Sequence, residues 1–99
     1  MRIIGGKLRG KTIMPPQGYK ARPTTDFAKE GLFNVLNNEY EMEGLQVLDL
    51  FGGTGQLGIE ALSRGAKSAV FTDAREDACK LIRENLKRTK LEQYGKVVR

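Results

Sequence analysis

Residues 49–58 read DLFGGTGQLG, and the interpretation of this stretch decides the fold. It contains a literal G-x-G-x-x-G in Gly53, Gly55 and Gly58. Before it lies the apolar run LQVLDLF (45–51), and after it come Leu57, Ile59, Ala61 and Leu62. A near-continuous apolar run is what a strand buried on both faces of a parallel sheet requires. Apolar residues at helical spacing that stop at a glycine, here Gly65, predict an amphipathic helix with a left-handed end. A strand, a glycine turn and a helix N-terminus in that order aim backbone N–H groups at a ligand.

Two kinds of ligand compete for such a turn. A dinucleotide would lay its pyrophosphate across it, and the acid Asp73 stands 20 positions after Gly53, about where a ribose-binding carboxylate is expected. Asp49 argues the other way. A carboxylate at the end of the strand repels a pyrophosphate but attracts a ligand with a positive amino group. S-adenosylmethionine carries an ammonium, a sulfonium, a ribose and an adenine. Asp49 would then face the methionine amino end, directly or through water, and Asp73 would accept the ribose hydroxyls. Simpler roles stand beside these: Asp49 as a cap on the turn's own amides, and Asp73 as a strand-end acid or helix cap. A phosphate-binding P-loop does not fit, because no Lys-Ser or Lys-Thr follows Gly58.

Outward from this motif, SAVFTD (68–73) predicts a second buried strand. A second helix runs from about Glu76 to Lys90, with Ala78, Leu81, Ile82, Asn85 and Leu86 on one face, and KVVR (96–99) begins a third strand. Upstream, MRIIGGKLRGKTIM (1–14) reads as a β-hairpin and PPQGYKARP (15–23) as a loop. A helix from Thr25 to about Asn37 carries Asp26 in its first turn, and Ala28, Leu32, Val35 and Leu36 form its apolar stripe. The expected organisation is a basic hairpin and loop over 1–24, followed over 25–99 by the first βαβα units of an α/β Rossmann-like sheet. Two or three parallel strands are few for a sheet that needs helices on both faces, so the chain is read as half of a doubly wound domain. Its first strand would lack a neighbour, and that exposed edge predicts a strand-paired dimer as one outcome.

Charge is unevenly distributed. Arg2, Lys7, Arg9, Lys11, Lys20 and Arg22 fall within residues 1–22 with no acid among them, whereas the rest of the chain holds 11 basic and 12 acidic residues. Arg2, Lys7, Arg9, Lys11 and Arg22 are therefore candidate contacts to a nucleic-acid backbone, against the plainer reading of a solvated, solubilising hairpin. The basic face of the last helix (Lys80, Arg83, Lys87, Arg88, Lys90) is read as solvated. There is no histidine, and the one cysteine, Cys79, has no imidazole to activate it. These absences disfavour a transition-metal site and a Ser-His-Asp triad. No apolar run approaches the length of a membrane span. The lone cysteine fits a reducing cytoplasm, so a cytoplasmic location is expected.

The blocks RIIGGKLRGKTI, RPTTDFAKEGLFNVL, VLDLFGGTGQLGIEALSRGA and VFTDA occur here in order. In that order and spacing the chain resembles the bacterial 16S rRNA (guanine(966)-N(2))-methyltransferase family over nearly its whole length. The resemblance implies a class I methyltransferase fold and S-adenosylmethionine as cofactor. It implies a partner in 16S ribosomal RNA or a small-subunit assembly particle, with neither metal nor membrane. Asp49, Phe51, Gly53, Gly55 and Leu57 match the family's cofactor loop, with Thr54 inside it and Gly52 where alanine is common. Asp73, followed by Ala74, stands where many members have glutamate. Thr24 and Thr25 belong to a segment that in related methyltransferases closes over the methionine end; helix capping is their alternative. The family's Asn/Asp-Pro-Pro-Tyr/Phe catalytic loop has no counterpart in these residues, so no catalytic residue is assigned and the 99 residues alone are expected to be inactive. Two other functions stay open from the residues themselves: an NAD-binding oxidoreductase half-domain, and a non-enzymatic basic RNA-binding module.

Overall fold

The computed structural model describes residues 2–14, 26–50 and 54–99, except for the side chains of Asp26 and Glu39. Among these, the order is α1 (Asp26–Glu39), β1 (Gln46–Leu50), α2 (Gln56–Ser63), β2 (Ser68–Thr72), α3 (Glu76–Arg88) and β3 (Gly95–Val98). The strands form one parallel sheet in the order β1-β2-β3. Asp49 pairs with Phe71, and Phe71 with Val97. The α/β reading of residues 45–99 is thus realised, with β1 at the sheet edge.

Three expectations need correction. Residues 2–14 do not make two strands. Their ladder is a single antiparallel bridge, Arg2 to Thr12, because the turn between them occupies residues 5–10. The stripe assigned to α1 is displaced: Ala28, Leu32 and Val35 are exposed, Leu36 is half-buried, and the inward face carries Lys29 and Phe33. A buried lysine is hard to anticipate from periodicity because it depends on partners distant in sequence. Finally, β1 is not buried on both faces. Helix α2 packs on β1 and β2, and α3 on β2 and β3. Val47, Asp49, Ala69, Phe71 and Val97 face that helical layer, while Leu48 and Leu50 on the other side are 62% and 61% exposed.

The core joins residues from every layer: Ile3 and Ile13 near the N-terminus, Phe33 from α1, Ile59 and Leu62 from α2, Phe71 from β2, and Ile82 and Leu86 from α3. Three buried polar side chains hold residues 2–14 to this core. Glu60 accepts from Ile4 N at 2.9 Å and Gly5 N at 2.8 Å. Ser63 donates to Gly5 O at 2.6 Å and accepts from Leu8 N at 3.0 Å. Asn85 accepts from Met14 N at 2.8 Å and donates to Met14 O at 3.0 Å. Glu60 also meets Lys29 Nζ at 3.5 Å and Arg64 Nε at 2.8 Å, and the Arg64 guanidinium lies 4.8 Å from the centre of the Phe33 ring. Lys29 in turn donates to Arg2 O at 2.7 Å.

Candidate functional site

The C-terminal ends of β1 and β2 and the N-terminus of α2 converge on one edge of the sheet. Gly55 caps α2 with φ +81, a left-handed conformation that side chains rarely adopt. Gly58, the last glycine of the motif, has a different role. A Cβ there would run into the ring of Phe71, which is fully buried, so this glycine sets how closely α2 lies on β2. Gly58→Ala should therefore destabilise the fold by about 1–2 kcal/mol, even though alanine favours helix, because overpacking outweighs the propensity gain. A urea midpoint equal to or above that of the wild type would refute this close-packing role.

Asp49 projects from β1 toward α2 and accepts from Gly58 N at 3.3 Å. Among the described residues no cation is paired with it. Burial raises its pKa from the usual 3.8 to about 6, and the Gly58 amide offsets only part of that rise. A half-buried carboxylate with a raised pKa favours any ligand that brings a positive charge to it. Such a ligand binds the ionised form, so binding releases a proton and affinity rises with pH up to about 6. A ligand carrying an ammonium should bind about tenfold more weakly at pH 5 than at pH 7. Titrations across that range check the slope; a flat profile would remove Asp49 from the site.

Asp73 lies just beyond β2, about 8 Å from Asp49 by strand geometry. It is buried and engaged: its Oδ1 accepts from Arg75 N at 2.9 Å and Arg75 Nε at 3.3 Å. This turn leads the chain into α3, and the Cys79 thiol donates to Asp73 O at 3.2 Å. Arg75 is the N-cap of α3 and has no side-chain cap bond, so the Asp73 carboxylate closes the turn before the helix, and a ribose at Oδ1 would share that oxygen with Arg75. Ala74 beside it is exposed and Leu57 is half-buried.

Thr54 is buried, its Oγ1 accepting from Gln56 N at 3.3 Å and its carbonyl accepting from Asn85 Nδ2 at 2.9 Å. Asn85 therefore ties the glycine turn to α3 and to Met14 at once, a role that its place on the apolar face of that helix did not reveal. Gln56, the first residue of α2, has a buried Oε1 with no hydrogen-bond partner among the described residues. An unsatisfied acceptor beside the turn fits a site whose ligand supplies a donor. The candidates Arg22, Thr24, Thr25, Phe51, Gly52 and Gly53 lie outside the described residues.

The candidate RNA contacts Arg2, Lys7, Arg9 and Lys11 are all exposed, but they do not form one patch. Arg2 and Arg9 line a cleft against α1 with Glu30, Asn34 and Arg64, whereas Lys7 and Lys11 border a groove at the C-terminal end of α2.

A parallel β-α-β-α-β unit with a left-handed glycine at the first helix and acids at two strand ends is the N-terminal half of a class I methyltransferase fold. The chain belongs to the family described as Conserved hypothetical protein 95, which matches residues 1–99. YlbH of Bacillus subtilis, provisionally named an rRNA methyltransferase, is 40% identical over 99 residues, covering all of this chain and 53% of that protein. Ribosomal RNA small subunit methyltransferase D of Escherichia coli K12 is 41% identical over 86 residues, covering 87% of this chain and 42% of that one. Among solved structures, yhhF of Escherichia coli, provisionally a methyltransferase, superposes with TM-score 0.84 at 37% identity. It covers 99% of this chain and 51% of that one. The chain spans about half the length of the curated relatives it matches.

Proposed function

We propose that the intact protein transfers a methyl group from S-adenosylmethionine to the exocyclic N2 of a guanine in 16S ribosomal RNA, and that these residues supply its cofactor half. The observation that carries this is Asp49, a half-buried carboxylate beside the N-terminus of α2 with no described cation paired to it. The names of the relatives support RNA as substrate. The bound sulfonium would supply the electrophilic methyl; its transfer leaves a neutral thioether, and the amine loses one proton.

In this reading Asp49 holds the ammonium, and Gly55 with Thr54 shapes the turn against the ligand, aided by Phe51, Gly52, Gly53 and Leu57. Asp73, beside Ala74, accepts the ribose hydroxyls on the oxygen that Arg75 uses less. Thr24 and Thr25 donate to the carboxylate of the methionine end. Arg2, Lys7, Arg9, Lys11 and Arg22 meet RNA phosphates. The exposed apolar face of Leu48 and Leu50 is where the remainder of a full-length sheet domain would pack, and the free backbone edge of β1 would instead pair two copies. Size-exclusion chromatography separates those two arrangements.

Calorimetric titration of the full-length protein with S-adenosylhomocysteine, run beside NAD, tests the cofactor. Binding of the adenosyl ligand and none of NAD is expected; the reverse would reject the argument from Asp49. Methyl transfer to 16S RNA by the same preparation tests the substrate, and transfer to protein alone would reject it.

A further inference from the structure

Helices α2 and α3 end side by side, and both end in the same hydrogen-bond motif. At α2, Ala66 N donates to Ala61 O at 3.0 Å and Gly65 N to Leu62 O at 3.2 Å. At α3, Leu91 N donates to Leu86 O at 2.8 Å and Lys90 N to Lys87 O at 3.1 Å. The residue after the cap in such a motif is left-handed and is usually glycine. Gly65, with φ +112, meets that preference; Lys90, with φ +61, does not, and no other non-glycine residue described here has positive φ. A lysine held in this conformation against its own preference points to a use for its side chain.

Lys90 does not extend the solvated face of α3. It borders a groove of about 480 Å³ at the ends of both helices. Leu62, Ala66, Leu91 and the half-exposed ring of Tyr94 form its apolar part, and Lys7, Lys11, Lys67 and Lys90 stand around it. None of the four lysines makes an ion pair among the described residues, and no acid lines the groove. The helix ends offer a competing reason for cations there. Each C-terminus carries only about half a negative charge, however, so four ammonium groups leave a surplus of roughly three.

The groove opens among the turns that precede β2 and β3, whereas Asp49 and Asp73 stand at the opposite ends of the strands. We infer that this groove binds the phosphate backbone of a single RNA strand, with an unpaired base on Tyr94. It would give the substrate a second foothold at the end of the sheet opposite the candidate cofactor site. This rests on the proposed RNA substrate. A cationic groove with one exposed aromatic ring is the usual means of holding single strands without reading their sequence.

The test uses the full-length protein, a labelled single-stranded RNA oligonucleotide and the double substitution Lys67→Gln/Lys90→Gly. Glycine suits the left-handed position, so the variant should melt no lower than the wild type and bind S-adenosylhomocysteine equally well. Its RNA affinity at low salt should fall about tenfold, and the slope of log K against log salt should flatten by roughly 1.4, two phosphate contacts' worth. Unchanged affinity and slope, with the wild type binding RNA, would overturn the groove and leave the proposed reaction standing. A wild type that binds the adenosyl ligand but no RNA would overturn both the groove and the RNA substrate.

Discussion

Glu60→Ala is expected to unfold the protein or come close to it, with a loss of about 3–5 kcal/mol. Glu60 and Lys29 are both fully buried, and the carboxylate also satisfies the Ile4 and Gly5 amides and the Arg64 guanidinium. Removing one member of a buried pair strands the other charge without water, which is the costliest way to break such a pair. A domain of this size has a total stability of about 5–15 kcal/mol, so the loss is a large share of it. Replacing both charges by apolar groups, as in Lys29→Met/Glu60→Leu, should recover part of the loss, since no unpaired ion then remains. Urea denaturation of the full-length variants measures both. A single-substitution loss below about 1 kcal/mol would mean that water reaches the pair.

Asp49→Asn should move stability and binding in opposite directions. The folded state holds this carboxyl at a pKa of about 6 against the usual 3.8. The raised value means that ionisation of this group opposes folding: its own contribution to stability is greatest below pH 3.8 and is lost as pH rises through about 6. At neutral pH the charge therefore weakens the ligand-free protein by about 2 kcal/mol, after discounting for the part of the group that water still reaches. Asparagine keeps an acceptor for the Gly58 amide and removes the charge, so the free protein should melt higher. Affinity for S-adenosylhomocysteine should fall about 100-fold through loss of the ammonium partner. Thermal melts at pH 7.5 and calorimetry on the same samples give both signs. A variant that binds as tightly as the wild type would make Asp49 a turn cap and nothing more.

The elements from Leu45 onward were legible because local signals agreed: apolar runs for β1 and β2, helical spacing for α2 and α3, and Gly65 at a helix end. What escaped depended on distant partners. The phase of α1 was misjudged because Lys29 faces inward, and its burial becomes intelligible only once Glu60 and the Arg2 carbonyl are placed around it. Charge at core-facing helical positions, Lys29 ahead of Phe33 and Glu60 between Ile59 and Ala61, was the available signal. Asn85 was placed on the right face, but its link to Thr54 and Met14 joins residues 31 and 71 positions away. At the candidate site the acids Asp49 and Asp73 were legible from spacing. The Arg75 contact to Asp73 was not, because it arises from the turn into α3.

The clamps on residues 2–14 also set an order of assembly. Ile4, Gly5, Leu8 and Met14 are made first, yet their partners Glu60, Ser63 and Asn85 lie 55 to 71 residues later in the chain. At a synthesis rate of about 5–20 residues per second, Met14 waits roughly 4–14 s for Asn85 to be added. Throughout that interval the segment 2–14 lacks the side chains that hold it to the core. It docks only after the helices that hold it have been made.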